Sequence, residues 1–177
     1  MSTSAKLQTK QPQQFLFDSD GVIPNSPLPV LIYRQVDLNG DLAAAFERVF
    51  AANSWPPQWR DGIFDYHHYH SNAHEALGVA AGSAEVMLGG EQGQAVHLQA
   101  GDLVILPAGT GHCRIEQSAE FLVVGAYPTG QEQYDIQRAD ASNLEASLER
   151  IALVTTPETD PLYGSQGALA RAWGRKS

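Results

Sequence analysis

Residues 62–82 read GIFDYHHYHSNAHEALGVAAG, and positions 67 to 74 of this stretch hold four of the chain's six histidines. On a β-strand alternate side chains share a face. His68 and His70 therefore point the same way, together with Phe64 and Tyr66, while His67 and Tyr69 point the other way. Two imidazoles two residues apart can reach one ion, since neutral imidazole is the commonest protein metal ligand. The same cluster is also compatible with a pH-responsive patch or a polar surface. Glu75 follows after a short turn, SNA, where a returning strand can bring its carboxylate to the same ion. A further ligand has to come from elsewhere in the fold, and GDLVILPAGTGHCRIE (101–116) supplies His112 just after a Pro-Gly turn.

The texture around these segments sets the architecture. From 62 to 127, short runs such as ALGVAA, AEVML, AVHLQ, LVILP and FLVVGAY are separated by GS, GGEQGQ, AGD and AGTG. This regular spacing of strands and turns predicts an antiparallel sandwich or barrel. Upstream, QFLF (14–17) and PLPVLIYRQV (27–36) read as strands on either side of a turn-rich DSDGVIPNS. Residues 41–53 place Leu42, Phe46, Val49 and Phe50 at helical spacing behind Asp41 or Asn39 as N-cap. The loop SWPPQWRDG closes that helix, because two prolines cannot continue it. Downstream, SNLEASLERI (142–151) starts as a helix with a capping box of Ser142 and Glu145, and its apolar face is Leu144, Leu148 and Ile151. Residues 1–12 read as a disordered tail, residues 13–177 as one domain, and the segment from TTPETDPLYG onward as extended or irregular.

Composition narrows the function classes. A chain of 177 residues with 43% apolar and 18% charged residues has the material for one buried core. The formal charge of −9 argues against a nucleic-acid surface and against a general affinity for anionic membranes. A single cysteine, Cys113, precludes an intrachain disulfide, and the polar MSTSAKLQTKQPQQ has no apolar core of a signal peptide. The expectation is a cytoplasmic protein.

With these residues in place, the chain resembles the cupin superfamily. Gly62, His68, His70, Glu75 and Gly82 match the first cupin motif at every spacing. Gly101, Pro107, Gly109 and His112 match the second, and Glu116 stands where the family has Asn. Eighteen residues separate the two motifs. PNSPLPVLIY, GAYPTG and TDPLYG also resemble a group of single-domain bacterial cupins often called YjlB-like, which has no established activity. The resemblance implies an all-β jelly-roll barrel over roughly 27–130. A helix is inserted before the first motif, and another follows the barrel within 140–177. It also implies one divalent transition metal (Fe, Mn, Ni, Co or Zn) on His68, His70, Glu75 and His112. The carboxylate sets this group apart from the three-His sites of thiol dioxygenases. It is similar to the sets of oxalate-metabolising cupins, acireductone dioxygenases and quercetinases.

The remaining residues divide by strand parity. His67 lies on the face opposite the ligands and reads as a surface or sheet-packing residue. His74 reads as a turn residue that hydrogen-bonds locally, or as a group behind the ligands. Arg114 shares parity with His112 and either anchors a substrate carboxylate, pairs with Glu116, or is turned outward by a bulge. Cys113 reads as a small buried hydrophobe. Phe64 and Tyr66 line the barrel and are candidates for substrate contact.

The function expected first is a metal-dependent oxidoreductase, dioxygenase-like, with Glu75 as catalytic base and a small chelating organic substrate as partner. The alternatives are a metal-dependent isomerase or decarboxylase, and a non-catalytic cupin that senses or stores a small molecule. The apolar PLPVLIYRQV predicts a homodimer formed along an unpaired edge.

Overall fold

The chain is described here by a computed structural model covering residues 8–174. Its strands are β1 Gln13–Phe17, β2 Ser26–Tyr33, β3 Pro57–Asp61, β4 His68–Tyr69, β5 Glu75–Ala81, β6 Ser83–Leu88, β7 Gln94–Gln99, β8 Leu103–Leu106, β9 His112–Gln117, β10 Leu122–Ala126 and β11 Gln137–Arg138. Helix α1 is Leu42–Ala52, α2 is Leu144–Ala152 and α3 is Leu169–Trp173. The strands form two antiparallel sheets, in the orders β1-β2-β8-β5-β10-β3 and β11-β4-β9-β6-β7. This is the antiparallel architecture expected from the strand spacing and the all-β jelly roll implied by the resemblance, with one helix before the first motif and others after the barrel.

Alternation explains why the six-stranded sheet reads as continuous apolar runs. In β2 and β8, Val30, Ile32, Val104 and Leu106 pack between the sheets with Leu77, Val86, Leu98 and Val123. Leu31, Tyr33, Leu103 and Ile105 face the other way and are covered by Phe46 and Phe50 of α1 and by Leu169 and Trp173 of α3. Both faces of the central strands β8 and β5 and of the second half of β2 are therefore buried, while the edge strands β1 and β3 are partly exposed. By contrast, β7 (QAVHLQ) buries only Val96 and Leu98, because among the described residues nothing equivalent covers its outer face.

Several local expectations change. The segment read as a loop after α1 contains β3, which pairs with β10 at the sheet edge. Pro57 is tolerated because it is the first residue of an edge strand. Asp41, rather than Asn39, caps α1 by accepting from the Ala44 N–H at 2.9 Å. The capping box predicted for the second helix is absent: Asp140 accepts from the Ser142 N–H and hydroxyl, and a short 3-10 turn, Ala141–Asn143, leads into α2.

The docked face of α2 also differs. Leu148 is 45% exposed, and Ser147 is the helix's buried residue. It meets the Tyr69 hydroxyl at 2.7 Å, so a polar contact seats the helix. The segment read as irregular contains α3, whose Trp173 indole donates to the Pro29 carbonyl. Residues 1–7 of the expected tail lie outside the described residues, whereas Lys10 donates through its backbone to the Tyr163 hydroxyl. β2 has neighbours on both sides, β1 and β8, so the free edge falls to β1.

Candidate metal centre

The two sheets bring the site together from opposite sides. β4 and β9 are adjacent, with His68 opposite His112 in register. His70 follows β4, and Glu75 opens β5 in the other sheet, opposite Leu106. Gly109 lies at φ +96°, a conformation that disfavours any side chain, and its N–H donates to the His70 carbonyl at 2.8 Å. That bond ties the turn before His112 to the strand end that carries His70, so the two sequence motifs are joined through backbone.

The histidines are held in one tautomer. His68 Nδ1 donates to the Tyr66 carbonyl at 2.9 Å and His112 Nδ1 to the Thr110 carbonyl at 3.0 Å; His70 Nδ1 bonds the Asp135 carbonyl. A carbonyl can only accept, so each Nδ1 carries a proton and Nε2 is left as the ligating nitrogen. His70 Nε2 lies 3.0 Å from Glu75 Oε2, and His112 Nε2 lies 3.2 Å from Glu75 Oε1. All four side chains are buried.

The charge balance follows from this geometry. Burial by itself raises the pKa of Glu75, but His70 and His112 outweigh it and hold the carboxyl well below its usual range. Burial lowers His70, yet the Glu75 charge and hydrogen bond carry it above its ordinary value. Burial and the neighbouring His112 push His68 down to about 3, so it is neutral at physiological pH.

Donor atoms of His70, Glu75 and His112 all lie within 4.8 Å of one another, a group that could hold a metal ion. His68 belongs to the same site but stands outside that group: its ring is 4.0 Å from the His112 ring and 6.1 Å from the His70 ring, centroid to centroid. The structure thus brings three of the four expected ligands into one tight set and leaves His68 at its margin. The donors fit a cation. Glu75 Oε1 is buried without a hydrogen bond, and it faces an Nε2 lone pair. Two acceptors facing each other in a buried site are satisfied by a positive charge between them.

The other predicted residues are placed as follows. His74 is on the opposite face from Glu75. Its Nδ1 accepts from the Ala108 N–H at 2.9 Å, and its ring packs on Trp173. It therefore supports the fold behind the sheet and makes no contact with the three-residue group. His67 also lies outside that group. Arg114 lines the cavity over the site: its Nε donates to the Ile63 carbonyl, and a bulge in β9 falls at the exposed Ile115 beyond it. Neither an ion pair with Glu116 nor an outward turn is observed. Phe64 lines the cavity at its exposed rim, but Tyr66 does not; it is stacked between Phe64 and the Arg138 guanidinium. Cys113 is buried, and burial pushes its thiol up.

Sequence reasoning missed a second set of residues. The Tyr127 hydroxyl donates to Glu75 Oε2 at 2.6 Å and accepts from the Trp59 indole N–H at 3.0 Å. Burial and the Glu75 charge push the Tyr127 phenol up, so it stays a donor. Tyr134 stacks on Tyr127 with centroids 4.0 Å apart. Asp135, which fixes His70 through its carbonyl, is itself pinned by the Ser71 N–H at 2.7 Å, while Arg150 of α2 donates to the Ser71 hydroxyl. Trp59 can lie flat because its partner in register is Gly125, where a Cβ would sit 2.1 Å from the indole. The hints in sequence were that Tyr127 closes the run FLVVGAY and falls within GAYPTG, one of the segments that carry the resemblance.

Above the cluster is a cavity of about 610 Å³, lined by Trp59, Ile63, Phe64, Leu77, Arg114, Phe121, Tyr127, Tyr134 and Ile136. Its size is that of a small-molecule site.

Comparison with known proteins agrees with this architecture. A cupin-domain family model matches residues 56–125. The protein YjlB of Bacillus subtilis (strain 168), described as uncharacterized, is 36% identical over 165 residues, which is 93% of this chain and 98% of that protein. The chain belongs to the cupins, as a single-domain cupin of the YjlB kind. Among solved structures, a Klebsiella pneumoniae protein with a double-stranded β-helix domain is 17% identical, with a TM-score of 0.38 over 75% of this chain and 88% of that one. The DMSP lyase DddQ of Ruegeria pomeroyi is 18% identical, with a TM-score of 0.36 over 72% of this chain and 51% of that one. No helix among the described residues is long and apolar enough to cross a membrane.

Proposed function

We propose that this cupin is a metal-dependent oxidoreductase of the dioxygenase kind, acting on a small organic substrate that chelates the metal. The observation that carries this reading is the convergence of His70 Nε2, His112 Nε2 and the unsatisfied Glu75 Oε1 at the floor of the cavity. His68, neutral and adjacent to His112, completes the donor set. A divalent Fe, Mn, Ni, Co or Zn ion held there would supply Lewis acidity, and a redox-active one would relay electrons from the chelated substrate, which is oxidised, to dioxygen.

The chain's own residues do the rest. Tyr127 holds Glu75 Oε2, so Oε1 is the oxygen free to bind or to accept a substrate proton. Aromatic and aliphatic walls line the cavity, and Arg114 offers a positive charge to the substrate. The reading places the protein in a reducing compartment, the cytoplasm, on the strength of its single cysteine. It takes a second copy as partner along the free edge of β1, where Leu16 is 63% exposed.

The test is metal analysis of protein purified without added metal, paired with oxygen uptake on a panel of enolic and hydroxy-acid compounds. Stoichiometric metal is expected in wild type and in His67→Ala, and its loss in His112→Ala. A protein without metal, or a His112→Ala variant that keeps it, overturns the proposal. Metal binding with turnover but no oxygen uptake moves the reaction to Lewis-acid isomerisation or decarboxylation.

A further inference from the structure

The charged groups of the cavity are not equivalent. Two arginines border it, Arg60 and Arg114. Arg60 is already neutralised: its Nε donates to Glu47 Oε2 at 3.1 Å and its Nη2 pairs with the other Glu47 oxygen. Arg114 is different. Its Nε donates to the Ile63 carbonyl at 3.1 Å, and its nearest carboxylate, that of the exposed Asp65, lies 4.0 Å from Nη2. The Arg114 side chain is 27% exposed. Its Nε is thus anchored on neutral backbone, while its fork meets only the solvent-exposed Asp65 carboxylate, at the long distance of 4.0 Å. Asp61, the other acid at the rim besides Glu75 on the floor, accepts from the Gly62 N–H at 2.8 Å.

We infer that the site takes an organic monocarboxylate with an apolar or aromatic body, its carboxylate held by Arg114 and its other end directed at the His70–Glu75–His112 floor. A guanidinium fork matches a carboxylate in geometry and binds it through paired N–H donors. One guanidinium whose carboxylate partner is distant and exposed suits one anionic group. Dicarboxylates and phosphate esters bring charge that Arg60, occupied by Glu47, does not meet. The remaining walls, from Phe64 and Ile136 at the mouth to Phe121 and Leu77 deeper in, favour an apolar body. The inference rests on the proposed reading only in taking the histidine–carboxylate floor as the reacting end.

The experiment measures binding rather than turnover. Phenylacetate, its neutral counterpart phenylacetamide, malonate and inorganic phosphate are titrated into chelator-treated protein. Calorimetry is read alongside the fluorescence of Trp59, which lines the cavity. Phenylacetate is expected to bind tighter than the other three. Arg114→Gln is expected to weaken phenylacetate by about tenfold or more while leaving phenylacetamide unchanged, as loss of a charge-assisted pair does. Arg114→Lys recovers part of the loss, and Arg60→Gln changes nothing. Circular dichroism confirms that each variant folds, and the acid–amide comparison on wild type needs no variant at all.

Equal affinity for phenylacetate and phenylacetamide, tighter binding of malonate or phosphate, or no binding of any acid overturns the inference. So does an Arg60→Gln effect as large as that of Arg114→Gln. Metal content measured on the same untreated protein tests the proposed function separately, so failure of one is distinguishable from failure of the other.

Discussion

Tyr127→Phe removes one oxygen from the interior and leaves everything else in place, which makes it the sharpest probe of the site. The phenol is fully buried, donates to Glu75 Oε2 at 2.6 Å and accepts from the Trp59 indole at 3.0 Å. A hydrogen bond to a charged group contributes about 1.5–3 kcal/mol, and the half-buried indole N–H left without its acceptor adds roughly another 1 kcal/mol. The buried Glu75 carboxylate keeps only its histidine neighbours. The expected cost is therefore about 2–4 kcal/mol, which for a chain of this size lowers the melting temperature by about 5–15 °C. The assay is thermal unfolding followed by circular dichroism in the presence of chelator. Tyr163→Phe serves as control, because among the described residues that hydroxyl's hydrogen bond is to the exposed backbone N–H of Lys10. Its expected change is within about 0.5 kcal/mol. A Tyr127→Phe variant as stable as this control refutes the reasoning, since Glu75 then does not depend on the phenol as a buried anion must.

The pH dependence of stability tests His74. Burial holds its pKa at about 4, with the Thr155 carbonyl pulling the other way. Between that value and the unfolded histidine near 6.5 the unfolded chain binds more protons, so stability is full above pH 6.5 and falls as the pH drops towards 4. The loss attributable to His74 is about 3 kcal/mol at most, and denaturant unfolding of wild type and His74→Gln across this window should show a flatter profile for the variant. Identical profiles argue against a neutral, buried His74. Gly125→Ala drives a Cβ to 2.1 Å from the Trp59 ring and is expected to cost about 1–3 kcal/mol by overpacking, with a shift in tryptophan emission. Unchanged stability and emission mean that Trp59 does not lie against β10.

Much of the fold was legible because its signals are local. Alternation and turn residues marked β5 to β10, and helical spacing behind Asp41 marked α1. The errors occurred where tertiary contacts overrode local chemistry. Pro56 and Pro57 argued for a loop, but an edge position leaves Pro57 without a hydrogen bond to lose, so β3 forms. Leu148 looked like the buried face of α2, but the Tyr69 hydroxyl draws Ser147 inward instead. The apolar β2 looked like an exposed edge until β1 covered it.

The site divides in the same way. From sequence alone came a two-motif cupin and the candidates His68, His70, Glu75 and His112, since motif spacing is a property of consecutive residues; the strand expected to carry both histidines is shorter, and His70 follows its end. Only the tertiary structure decided which donors converge: His70, Glu75 and His112 in one group, with His68 beside it and His74 on the far face. It alone brought in Tyr127, Trp59 and Asp135, whose roles depend on the approach of two sheets and a returning loop. Asp135 lies 65 residues from the histidine it fixes, and Tyr127 lies 52 residues from the carboxylate it holds. Side chains so distant along the chain meet only after the barrel closes, because the core between the sheets sets their separation and no local pattern encodes it.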